Sequence, residues 1–150
     1  MEICTIGYEK AGLADFIATL KDAAVEMVID VRELPQSRRA GFSKRQLAAS
    51  LEEAGIGYTH LKALGTPKEG RVAHRSRDQA RFWQIVAEQL ATEPAQAALA
   101  EAVDIAHRHR SCLVCFEADW HSCHRARIVE LMAGIEPVTA HHLNVEPRFI

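Results

Sequence analysis

An α/β fold is predicted by three features of the chain. Short apolar runs ending in glycine or a charge alternate with stretches whose apolar residues recur at helical spacing. One of those runs, Val25–Val31, is β-branched and nearly continuous, the pattern of a strand covered on both faces. The 150 residues, 48% hydrophobic and 25% charged, suit a single globular domain, 1–150. A domain of this size buries roughly 68–70% of its unfolded surface, so its core requires no metal or disulfide staple.

Ile3–Gly7 reads as the first strand, followed by a helix on which Leu13, Phe16, Ile17 and Leu20 share a face. Val25–Val31 is the second strand. Ser43 is placed to cap a helix carrying Leu47, Leu51 and Ala54, with Gly55 as its stop. Tyr58–Leu61 is a short third strand. Leu64–Arg77 has no periodicity and is expected to be a long surface loop. Asp78–Leu90 and Pro94–His109 are helical, the second entered through a proline near its first turn. Cys112–Phe116 is the fourth strand. Ser122 is expected to cap a helix through Met132, closed by Gly134, and Val138–Leu143 is the last strand. This alternation predicts a three-layer αβα sandwich with a mostly parallel sheet of about five strands, Rossmann-like in plan.

Composition excludes several classes. The formal charge of −2 supplies no global field for nucleic acid or an anionic membrane. No stretch approaches the ~18 apolar residues of a membrane span, and Met1–Gly7 lacks the basic and apolar regions of a secretory signal. Four cysteines without a signal point away from a disulfide framework, so a cytoplasmic protein is expected. Gly7 and Gly12 do not make a dinucleotide or Walker glycine pattern, and no cofactor is assigned.

Ligands of open α/β sheets bind outside the carboxyl ends of the strands. Tyr8, Glu9 and Lys10 follow the first strand; Arg32, Ser37, Arg38, Arg39 and Lys44 follow the second. Cys115 ends the fourth, and Glu117, Asp119, His121, Cys123, His124 and Arg125 come after it. Three loops therefore converge on one edge. Residues 32–45 hold five Lys/Arg against one Glu, and Arg71, Arg75, Arg77 and Arg81 follow in the long loop. Guanidinium forks suit phosphate or carboxylate, although a solvated basic face paired with acids elsewhere explains the same run. Arg32 is the special case, because it leaves a buried strand that ends in Asp30: it is either that residue's structural partner or an anion contact.

Cys115–Arg125 is the densest constellation. A cysteine at a helix N-terminus, beside histidine and arginine, gains thiolate character. Cys123 or Cys115 is thus a candidate nucleophile, with His124 as base and Glu117 as proton carrier; a reversible Cys115–Cys123 disulfide is a variant. The bland alternative is that Cys123 packs while His124 and Arg125 hold the loop. Cys112 and Cys115 have the spacing of zinc ligands, but three residues apart on a strand they point to opposite faces, so no metal ligand set is assigned. Cys4 is expected in the core. His107 and His109 close a helix where cations suit the dipole.

Thr5-Ile-Gly-Tyr8, the Ile29-Asp-Val-Arg32 segment with Pro35, Ser37 and Arg38, Gly41-Phe-Ser-Lys44, Tyr58-x-His-Leu61, Cys115-Phe-Glu117, Cys123-His-Arg125 and His142-Leu143 occur in order along nearly the whole chain. Together they resemble the domain of unknown function 488 family. That resemblance implies a small three-layer α/β fold and no particular reaction. Where the family pattern has Leu-Gly-Gly, this chain reads Leu64-Gly65-Thr66. A weaker similarity to rhodanese-like and cysteine-phosphatase layouts is analogy of fold alone, since nine residues separate Cys115 from Arg125.

Two functional expectations follow. The first is an anion-binding site for a phosphate, nucleotide or nucleic-acid end, using Tyr8, Arg32, Ser37, Arg38, Arg39 and Arg125. The second is a thiol-dependent enzyme or redox protein using Cys123, Cys115, His124 and Glu117. A metal-binding protein is a third, weaker alternative.

Overall fold

The computed structural model describes residues 1–147. Its sheet has five strands, β1 (Glu2–Gly7), β2 (Met27–Asp30), β3 (Gly57–His60), β4 (Ser111–Cys115) and β5 (Thr139–Leu143), in the order β3-β2-β4-β1-β5. Every pairing is parallel. Six helices complete the layers: α1 (Leu13–Asp22), α2 (Lys44–Glu53), α3 (Lys68–Arg75), α4 (Gln79–Leu90), α5 (Glu93–Arg108) and α6 (Arg125–Ile135). The predicted sandwich is therefore the observed fold.

The connections from β1 to β2 and from β2 to β3 step one way along the sheet; those from β3 to β4 and β4 to β5 step back. Right-handed crossovers then put the two sets of helices on opposite faces. Phe16, Leu20, Leu47 and Leu51 of α1 and α2 pack with Cys4, Val28 and Cys112. Phe82, Val86, Leu99, Val103, Ile128 and Met132 of α4, α5 and α6 pack with Ile29, Leu113 and Cys115 on the other. Cys112 and Cys115 consequently lie in different cores, as their strand spacing predicts. The chain leaves β2 and β4, which are neighbours, in opposite directions, and this opens a crevice at their carboxyl ends.

Three expected element boundaries are corrected. Residues 64–77 are not a featureless loop: a 3₁₀ turn (Lys62–Leu64) leads into α3. Only Gly70 and Ala73 of α3 are buried, so this helix carries no apolar stripe to betray it. Ser122 does not cap α6, because it ends a separate 3₁₀ turn that begins at Trp120 and is capped by the Asp119 carboxylate. The helix begins at Arg125, leaving Cys123 and His124 just ahead of its first turn. Gly134 lies inside α6, which runs on to Ile135. Ser43 does occupy the cap position of α2, but its hydroxyl is spent on Ser37 across the preceding loop.

Candidate functional site

Between the ends of β2 and β4 lies a cleft of about 1010 Å³. Its floor is Cys115 with His124 and Glu117; Arg32, Glu33 and Ser37 form the β2 side, and α3 contributes Arg71, His74 and Arg75. Gly7 makes the floor possible. A Cβ there would sit 1.7 Å from the Glu117 carbonyl oxygen, so only glycine lets the chain after β4 fold across the end of β1. Gly65 has the same function opposite, where a Cβ would lie 2.1 Å from the Glu33 nitrogen.

Cys115 and Cys123 are both buried and unbridged, with their sulfurs 2.6 Å apart. That is closer than non-bonded sulfurs rest, yet longer than the ~2.05 Å of a disulfide. Cys123 Sγ also lies 3.5 Å from His124 Nδ1 and accepts the Arg125 backbone N–H at 3.5 Å. The sulfur thus takes the first free donor of α6, the position an anion prefers. His124 Nε2 is 2.8 Å from the Val31 carbonyl oxygen. A carbonyl only accepts, so Nε2 carries a proton and Nδ1 faces the sulfurs. Glu117 Oε2 lies 3.5 Å from the Cys115 sulfur, while its other oxygen is 3.7 Å from His74 Nε2.

These contacts set the charges. Burial opposes a Cys123 thiolate, but the hydrogen bond from Cys115 and the adjoining His124 and Arg125 bring its pKa well below the ordinary thiol value. Burial, then the hydrogen bond and charge of Cys123, push Cys115 up. Burial also acts to lower His124, yet the Cys123 sulfur outweighs it and the imidazole pKa rises. Glu117 is raised by burial and by the charge of Cys123. The shifts thus favour the charged forms of Cys123 and His124 and the protonated forms of Cys115 and Glu117.

The arginines separate into two sets. The Arg32 guanidinium donates to both Asp30 oxygens at 2.9 and 2.7 Å, to the Tyr8 hydroxyl at 3.1 Å and to the Phe42 carbonyl at 2.7 Å. Tyr58 and the Arg32 backbone complete the Asp30 shell. Arg32 is thus paired with Asp30, as one of its two expected roles requires, and it also lines the cleft. Arg39 donates to the Ala11 carbonyl, and both Arg38 and Arg39 line a different hollow, beside Gly12 and Gly41. Arg125 is almost completely enclosed and donates to the Glu117 carbonyl at 2.7 Å, leaving its Nε and Nη1 without partners. By contrast, Arg75 and Arg77 line the cleft, are exposed, and make no side-chain bond among the described residues.

The structure thus brings together Cys115, Cys123, His124, Glu117, Arg32, Ser37 and Tyr8, but not Arg38 or Arg39. Arg125 touches the floor from behind. Sequence reasoning missed His74 and Thr66, both lining the cleft with a buried polar atom (Nδ1 and Oγ1) left unpartnered. Thr66 stands where the family pattern has its second glycine; nothing else marked it, and His74 was hidden on the unrecognised α3.

Among the described residues, no helix is long and apolar enough to cross a membrane. No curated protein and no solved structure matches the chain. The family described as domain of unknown function DUF488 matches residues 12–132, which span β2, β3, β4, most of α6 and all of the cysteine-bearing floor. With that match over most of its length, the chain belongs to the DUF488 family.

Proposed function

We propose that the cleft carries out dithiol–disulfide exchange on an anionic substrate, through Cys115 and Cys123. One observation carries the reading: two unbridged sulfurs 2.6 Å apart at the floor of a polar cleft, one of them against an imidazole. Cys115 lines the cleft and Cys123 lies behind it, so the cleft-facing sulfur attacks and the inner one resolves. The pair shares one proton, and its shift to Cys123 frees the Cys115 thiolate. Attack on a substrate disulfide forms a Cys115 mixed disulfide and expels one substrate thiolate, which takes a proton from Glu117. Cys123 then attacks the Cys115 sulfur, its proton passing to the carboxylate that Glu117 became in the first step, and the second substrate thiolate leaves. The protein's two thiols end as a disulfide, and the substrate disulfide as two thiols.

Arg75 and Arg77 would hold the substrate's carboxylate or phosphate, and Thr66 Oγ1 and His74 Nδ1 offer polar contacts on the same wall. Those two free guanidinium groups also favour a second reading, in which the cleft binds an anion and does no chemistry.

The test is alkylation of all four cysteines across pH by mass mapping, alongside incubation with oxidised glutathione, a small anionic disulfide. The expected result is modification of the Cys115–Cys123 pair well below the ~8.5 of a free thiol, inert Cys4 and Cys112, and an internal Cys115–Cys123 disulfide. Ordinary titration with no such disulfide overturns the exchange reading. An oligonucleotide or nucleotide then found to bind, and released by Arg75→Ala, would establish the second.

A further inference from the structure

We propose that Cys115, Cys123 and His124 are also a three-ligand site for a zinc-class divalent ion, with its fourth position open to the cleft. The proposal rests on the dithiol reading only in needing both sulfurs unbridged. The Cys115 and Cys123 sulfurs and a ring nitrogen of His124 lie within 4.8 Å of one another. Zinc holds sulfur at about 2.3 Å and nitrogen at about 2.0–2.1 Å, which sets tetrahedral ligand atoms roughly 3.5–3.8 Å apart. The Cys123–His124 separation of 3.5 Å already fits. The two sulfurs, now at 2.6 Å, must open by about 1 Å to reach that spacing, within reach of a small side-chain rotation.

The surroundings are those of a ligand set. His124 is oriented by its Nε2 bond to the Val31 carbonyl, the outer-shell contact that metal-binding histidines commonly make, and this turns Nδ1 toward the sulfurs. The Arg125 backbone N–H on Cys123 Sγ is a further outer-shell bond. The ligands stand on firm ground: Cys115 ends a fully buried strand, and the other two precede a helix whose first residue is buried. On the open side the cleft reaches Cys115, His124 and Glu117, so a bound ion would face water there with a carboxyl alongside. Three protein ligands plus one open position is the plan of catalytic rather than structural zinc. Loading displaces two protons in total from the two thiols and the imidazole, and the ion and the disulfide exclude each other.

The experiment uses reduced full-length protein, stripped with chelator and titrated with cobalt(II) or zinc under a non-thiol reductant. One equivalent of cobalt with the bands of tetrahedral thiolate coordination is expected, together with zinc protection of Cys115 and Cys123 from alkylation. Cys115→Ser and Cys123→Ser should each abolish the bands, and His124→Asn should weaken binding at least ~10-fold, the usual scale for disturbing a metal site. Cys112→Ser, three residues along the same strand but in the other core, should leave them unchanged. Absence of stoichiometric cobalt, or zinc that protects neither cysteine in the unsubstituted protein, overturns the proposal whether or not the variants fold. Disulfide formation without metal uptake refutes only this site; metal uptake without any disulfide refutes only the exchange reading.

Discussion

Replacing Asp30 by alanine removes the carboxylate that, among the described residues, pairs with the Arg32 guanidinium, and the structure sets the scale of the damage. Asp30 is fully buried and Arg32 is 7% exposed, so the pair is little screened by water. The substitution takes away two guanidinium bonds, the Arg32 backbone bond and the Tyr58 hydroxyl bond at once. Breaking one side of a buried pair typically destabilises by about 3–5 kcal/mol, because the remaining charge stays buried without compensation. Against a total stability of about 5–15 kcal/mol this is a large fraction. Urea unfolding followed by circular dichroism should therefore show a much lower midpoint at unchanged slope. The double variant Asp30→Ala/Arg32→Met has no stranded charge and should recover at least ~1–2 kcal/mol over Asp30→Ala, even with the Phe42 carbonyl left unpaired. If Asp30→Ala lost less than ~1 kcal/mol, or if the double variant were strictly additive, the structural role of Arg32 would be refuted.

Other consequences can be checked by simpler means. Gly7→Ala drives a Cβ into the Glu117 carbonyl, so the chain after β4 must retreat; a loss of about 1–3 kcal/mol in unfolding experiments is expected, with cysteine reactivity changed as well. Tyr58, raised by burial and then by its bond to Asp30, should stay protonated in an ultraviolet titration to pH values where an ordinary tyrosine ionises. Stability of the reduced protein should fall toward both acid and alkaline pH, because the shifts of Cys123 and His124 act in opposite directions. The raised His124 contributes stability that is full below the unfolded value and lost as pH rises through the folded one. The lowered Cys123 contributes stability that is full above its unfolded value and lost as pH falls through the folded one. The Cys123 contribution is therefore lost toward acid and the His124 contribution toward alkali, and between them the two slopes oppose each other. A stability that climbs or drops steadily from acid to alkaline pH, measured by urea midpoints, contradicts the pairing.

Much of this was legible in the chain. The strands β1, β2 and β4 are apolar because helices cover both their faces, and that continuity identifies them without any contact being known. The convergence of Tyr8, Arg32, Cys115 and His124 followed from placing residues after parallel strands, which the topology then brought to one edge. What escaped was set by tertiary packing. α3 buries only a glycine and an alanine, so burial leaves no period to read, and His74 went with it. The start of α6 slipped from Ser122 to Arg125 because Asp119 offered a competing cap two residues before His121. Arg38 and Arg39 share a loop with Arg32 but leave it on another side, and no spacing rule distinguishes the directions of consecutive loop residues.

Under the proposed function, the arginines around the cleft divide between bracing the fold and meeting a ligand. Arg32, Arg39 and Arg125 each donate to a backbone carbonyl, at Phe42, Ala11 and Glu117. A guanidinium has several donors in a rigid fork and stays charged when buried, so it can brace two loops at once where lysine cannot. Those braces fix the chain after β2 and after β4, and His124 ties the two together through the Val31 carbonyl. Arg71 is partly engaged too, by Glu33 and the Thr66 carbonyl. Arg75 and Arg77 are thereby the cations of this wall with donors to spare, and they stand on α3 and just beyond it. In the proposed reading, a floor carrying the sulfurs and a separate wall carrying the free guanidinium groups let a ligand's anion be held without contact to the dithiol.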